Sequence, residues 1–117
     1  MVAYLQHILN MKKNILIKSL PKNKVYIMIL KMIEKYPSGN CLRISMEKVF
    51  DDIPKDIQEL IVDFNGFEFY GLAETQEYYY RKQQLSINSI KEINLSEHSN
   101  KMLEIVDDRH KKGDYIV

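Results

Sequence analysis

The side chains in this chain that can do chemistry are few and scattered. Cys41 is the single thiol, and His7, His98 and His110 are the only imidazoles. A thiol and an imidazole make a nucleophile and its base when the fold brings them together, but no third orienting group or oxyanion donor accompanies Cys41 and His98. An isolated cysteine among apolar neighbours reads better as a small buried hydrophobe. Asp107, Asp108 and His110 lie close together, yet no His, Cys, Asp or Glu spacing matches a metal site. Glycine-rich phosphate loops, G-x-S-x-G and H-E-x-x-H are all absent. An enzyme is therefore not expected, and neither is a cofactor or a bound metal. One run interleaves aromatics with cations: Tyr78-Tyr79-Tyr80-Arg81-Lys82. It suits a ribbon lying against a nucleic-acid backbone or stacking on bases. It equally suits a strand whose alternate tyrosines pack inward while Arg81 and Lys82 are solvated.

The elements that must carry these residues follow from periodicity. Residues 3–20 place Tyr4, Leu5, Ile8, Leu9, Ile15, Leu16 and Leu20 on a helical stripe ended by Pro21, with a β-branched second half that also fits a strand. Val25, Met28, Ile29, Met32, Ile33 and Tyr36 predict a helix over 24–36, stopped by Pro37-Ser38-Gly39-Asn40. Cys41 to Ile44 reads as a short strand, with Ser45 capping a brief helix over 46–50. Pro54 after Asp51 and Asp52, then Ile57, Leu60, Ile61 and Phe64, predicts a second main helix closed by Asn65-Gly66. From Phe67 to Leu72 the period changes to two, and Tyr78 to Tyr80 and Leu85 to Ile93 supply further strand material. Asn94 or Ser96 caps a last helix carrying Leu95, Met102, Leu103 and Val106, before a polar tail from Asp107.

Composition sets bounds on the partners. The chain has 117 residues, 45% of them hydrophobic and 28% charged, which describes one ordinary globular domain. Its longest apolar run, Val25 to Leu30, is too short to cross a bilayer, and the first residues do not read as a secretory signal. A lone cysteine fits a reducing compartment, so a cytoplasmic protein is expected. The formal net charge is only +1, but residues 1–50 hold nine Lys and Arg against two acids, whereas residues 51–117 hold eight against fourteen. A partner attracted by charge must choose a side.

Ile93-Asn94-Leu95-Ser96-Glu97-His98-Ser99-Asn100-Lys101-Met102-Leu103 resembles the winged-helix wording I-x-L-T-x-x-G-x-x-x-L, with Ser96 in place of Thr and Ser99 in place of Gly. Ile57 to Leu72 is similar to the passage in which a recognition helix runs through Asn-Gly-Phe into the first wing strand. The resemblance is to the winged helix-turn-helix superfamily and covers roughly residues 24–107. It implies an α+β fold with an additional N-terminal helix over 1–23, a winged-helix domain over 24–107 and a polar tail over 108–117.

That resemblance implies a small transcriptional regulator bound to double-stranded DNA. Lys48, Arg81 and Lys82 would position phosphates, while Lys55 and Gln58 meet base edges. Pairing as a homodimer would use Leu5, Ile8, Leu9, Ile27 and Leu30, and the alternative is an N-terminal helix folded back onto its own domain. The recognition stretch is itself acidic, with Lys55 against Asp56, Glu59 and Asp63. A second reading therefore keeps the fold and changes the partner: an adaptor or inhibitor that docks on a basic protein through Asp51, Asp52, Asp56, Glu59 and Asp63.

Overall fold

A computed structural model describes residues 26–113. They form a mixed α+β unit of three strands and four helices. In chain order these are β1 (Ile27–Lys31), α1 (Met32–Lys35), α2 (Arg43–Met46), β2 (Glu59–Asp63), α3 (Leu72–Gln83), β3 (Ser89–Ile93) and α4 (Glu97–Lys111). The strands make one sheet in the order β1-β2-β3, and both pairings are parallel. Parallel neighbours cannot be joined by a tight turn, so each connection crosses over through helical material: α1 and α2 after β1, α3 after β2.

Register explains which residues are interior. Met28 pairs with Leu60 and Leu60 with Ile90, while Leu30 pairs with Val62 and Val62 with Glu92. Successive strand residues face opposite sides, so these six form one inward surface, and Met28, Leu30, Leu60 and Val62 are all buried. Phe50, Phe64, Phe67, Phe69 and Tyr78 build an aromatic layer on that side. The Phe64 and Tyr78 rings meet edge to face at 5.5 Å, and those of Phe67 and Phe69 at 5.7 Å. Helix α3 packs against both α2 and α4.

Several sequence expectations are corrected here. The stretch 24–36 satisfies both a 3.6 and a 2.0 period, and its β-branched Ile27 and Ile29 fall in a strand, with a single helical turn after it. The recognition helix expected from Pro54 to Phe64 is instead β2, the middle strand, because Glu59-Leu60-Ile61-Val62-Asp63 alternates and Leu60 and Val62 are fully covered. Cys41 to Ile44 is loop running into α2. Phe67 to Tyr70 keeps its alternation of burial but joins no ladder: Glu68 N–H donates to Gly39 O at 2.9 Å and Phe69 N–H to Ser99 Oγ at 3.0 Å. Tyr78 to Tyr80 lies in α3, and the described residues contain no antiparallel wing. Leu30, expected at a dimer interface, is 8% exposed and belongs to the core, while Ile27 is half-buried on the outer side of the sheet. Leu5, Ile8, Leu9 and the expected helix over 1–23 lie outside the described residues.

The last helix agrees with its sequence signals. Ser96 is the N-cap, its hydroxyl accepting from Ser99 N–H at 3.0 Å, and Ser99, Leu103 and Val106 face inward. The expected polar tail is helical as far as Lys111, with Asp107 and Asp108 bridged one turn on to Lys111 and Lys112, and its residues 114–117 lie outside the described residues. No helix of the described residues is long and apolar enough to cross a membrane.

Candidate functional site

In a parallel sheet, all strands discharge their following loops at the same edge, which is where α/β proteins place binding surfaces. Here β1 delivers α1 and the turn 36–42, β2 delivers the segment 64–71, and the Glu68 to Gly39 hydrogen bond joins the two. Between them lies a shallow pocket of about 570 Å³ whose lining includes Lys35, Tyr36, Cys41, Leu42, Ser45 and Tyr70. Tyr36 Oη donates to Ser45 O at 2.9 Å and fixes one wall.

The other wall is held by a denser set of bonds. Glu74, buried although it is a carboxylate, sits in the first turn of α3 and accepts from Gly71 N–H at 2.8 Å and from Tyr70 N–H. Glycine at the cap offers no side-chain acceptor, and the carboxylate answers the N–H of the cap residue and of the residue before it. Thr75 Oγ1 donates to Gly71 O at 2.6 Å, and Ser99 Oγ takes the Phe69 N–H. His98 Nε2 lies 3.0 Å from Phe69 O; a carbonyl only accepts, so that nitrogen carries the proton. Five bonds from α3 and α4 thus fix residues 69–71. Tyr70 nonetheless presents its side chain to solvent at 80% exposure; Leu42, which shares the pocket lining with it, is 72% exposed, and Ile44, two residues on from Leu42, is 66% exposed.

Reactive groups in the pocket are muted. Burial, with the Glu74 charge adding to it, pushes the Cys41 thiol up to about 11, so it stays protonated at neutral pH. Burial likewise raises the Tyr36 phenol well above its usual value, assisted by Cys41 and Asp51. Among the described residues no three His, Cys, Asp or Glu side chains are placed to share a metal ion.

The five residues expected at DNA are dispersed. Lys48 is exposed in the turn after α2, Lys55 in the loop before β2, and Gln58 sits just ahead of β2 with its N–H on Tyr26 O at 3.0 Å. Arg81 Nε is on Glu77 Oε2 at 2.7 Å, and Lys82 Nζ on Glu92 Oε2 at 2.9 Å, stretched over the rings of Tyr78 and Tyr79. No hydrogen bond or ion pair joins any two of the five among the described residues. The acidic series divides as well. Asp52 pairs with Lys35 at 3.2 Å, and Glu59 pairs with Lys91 at 3.0 Å on the outer side of the sheet. Asp63 accepts from Asn65 N–H and from Asn94 Nδ2. Of that series, only Asp51 and Asp56 are exposed without an ion partner among the described residues.

Leu42, Ile44 and Tyr70 were not singled out from sequence. Each sits in a segment that reads as strand, where one apolar residue in two is expected inside. Comparison of the chain with protein-family models, with curated proteins and with solved structures finds no match.

Proposed function

We propose that this protein is a non-enzymatic docking module, and that its partner seats on Leu42, Ile44 and Tyr70 at the carboxyl edge of the sheet. The observation that carries this reading is the exposure of two large apolar side chains, Leu42 and Tyr70, on the lining of one pocket, with a third, Ile44, exposed two residues after Leu42 and the backbone under Tyr70 clamped from two helices. Isolated apolar residues on a surface are ordinary, but a contiguous group is characteristic of an interaction site. Tyrosine on a rigid backbone loses little freedom when covered, which favours affinity. The protonated thiol of Cys41 and the raised phenol of Tyr36 argue for contact rather than catalysis. A winged-helix DNA regulator would call for a helix and a following hairpin where β2 and α3 lie, and for open cations where Arg81 and Lys82 are bridged. No observation favours it over docking.

Site-specific photo-crosslinking tests the proposal. A benzophenone amino acid at position 70 should yield a discrete crosslinked species in cells, absent when the same probe is at position 105 on α4. Leu42→Asp should abolish it while the circular dichroism spectrum stays unchanged, because Leu42 is already in water. Equal crosslinking from positions 70 and 105, or indifference to Leu42→Asp, would remove the proposal.

A further inference from the structure

The charges around the apolar pocket favour one kind of partner over others. Cations near it are consumed locally. Lys35 is held by Asp52, and Arg43, between Leu42 and Ile44 in sequence, is shared by Glu47 at 3.3 Å and Glu77 at 3.2 Å. Arg81 adds a second cation to Glu77. Among the described residues, Lys48 is exposed in the turn after α2 with no ion pair. Acids outnumber them. Glu68 is exposed in the segment tied to Gly39, with no ion partner among the described residues. Asp51 is also exposed and unbridged, and close enough to Tyr36 for its charge to act on the phenol. Glu74, beneath Tyr70, has only backbone N–H donors and no cation. An apolar floor, on which Leu42 and Tyr70 line the pocket and Ile44 follows two residues after Leu42, thus has near it two carboxylates without an ion partner among the described residues: Asp51, whose charge acts on the lining residue Tyr36, and Glu68, exposed two residues before Tyr70.

Resting on the docking reading, we infer that the partner is a protein segment that places apolar side chains on Leu42, Ile44 and Tyr70 and carries lysine or arginine beside them. An acidic or neutral apolar segment would fill the same floor but leave Asp51 and Glu68 repelled or unanswered, and like charges brought together at an interface are strongly disfavoured. Opposite charges at the rim would instead steer the encounter, so association is salt-sensitive while dissociation is governed by the apolar contacts.

The test uses the full chain as bait for a phage-displayed library of random twelve-residue peptides, followed by titration of the selected peptides as synthetic probes. Selected peptides should combine apolar residues with Lys or Arg. Leu42→Ala or Tyr70→Ala should weaken them about tenfold, as loss of an interface anchor does. The double variant Asp51→Asn with Glu68→Gln should weaken them about threefold and flatten their salt dependence. Peptides that need Leu42 and Tyr70 but are neutral or acidic and indifferent to salt would overturn the charge inference and leave the docking reading standing. Peptides indifferent to Leu42→Ala and Tyr70→Ala would overturn both. Self-association of the chain that is lost on Leu42→Asp and blocks peptide binding would assign the pocket to a second copy, against the inference.

Discussion

At the scale of single residues, Glu74 and the tyrosines carry the sharpest consequences. Glu74 satisfies two N–H groups that would otherwise be orphaned at the start of α3. Glu74→Ala should cost about 1–3 kcal/mol, the range for stranding buried donors. Urea unfolding should show a lower midpoint at unchanged slope. If the clamp also orders Tyr70, peptide binding at the pocket should weaken in the same variant under conditions where it is fully folded. Tyr79 donates its hydroxyl to Asp107 at 2.6 Å, and burial together with that bond pushes its phenol from 10.0 up to about 12. The unfolded chain therefore gives up this proton more readily than the folded one. The stability contribution is whole below pH 10 and is lost as pH rises toward about 12. Tyr36 and Tyr78 shift in the same direction. Unfolding midpoints should accordingly fall between pH 10 and 12, and Tyr79→Phe should make that fall shallower without removing it.

At the scale of elements, the turn after β2 shows why some of the fold was legible and some was not. Gly66 has φ +83°, and a Cβ there would stand 3.3 Å from Ile33 Cγ1. Gly66→Ala should cost about 1–2 kcal/mol for the left-handed backbone alone, read as a lowered melting temperature. Asn65-Gly66 was recognisable as a terminator, because left-handed turns demand such residues. What it terminates was not, since Ile57, Leu60, Ile61 and Phe64 fit a helix while Leu60 and Val62 fit a strand. The choice was made by partners far along the chain: Met28 on one side, Ile90 on the other. Helix α4 was legible because its signals are local, Ser96 at the cap and Leu103 and Val106 on one stripe. In α3 the three tyrosines pointed to a strand by propensity. The helical period there lies in polar pairs such as Glu77 with Arg81, and in the burial of Thr75 and Tyr78, the latter against Phe64 and Phe69. Of the site, the acids Asp51 and Asp52 were visible, but an exposed Leu42 looks the same in sequence as a buried one. Only tertiary contacts separate them.

For the whole molecule, the charge of the described residues bears on what they can approach. Residues 26–113 contain twelve Lys and Arg against fifteen Asp and Glu, a net of −3, although the full chain sums to +1. The surplus of cations therefore lies in the sequence of residues 1–25. By themselves, the described residues are repelled by a polyanion and attracted to cationic surfaces. The two cations most suggestive of a phosphate contact, Arg81 and Lys82, already spend their charge on Glu77 and Glu92. Were they bound to phosphates, removing both would make the fall of log affinity with log salt shallower by about 1–2 units. The expected outcome is different. Arg81→Ala with Lys82→Ala should leave the salt slope of any duplex binding unchanged, while lowering the urea midpoint because Glu77 is left with Arg43 alone and Glu92 with only the Tyr78 hydroxyl. Fluorescence anisotropy on a labelled duplex at several salt concentrations, paired with urea melts of the same variant, separates the two. A slope shallower by one unit or more in a variant of unchanged stability would return these side chains to a nucleic-acid surface and weaken the case for a basic protein partner.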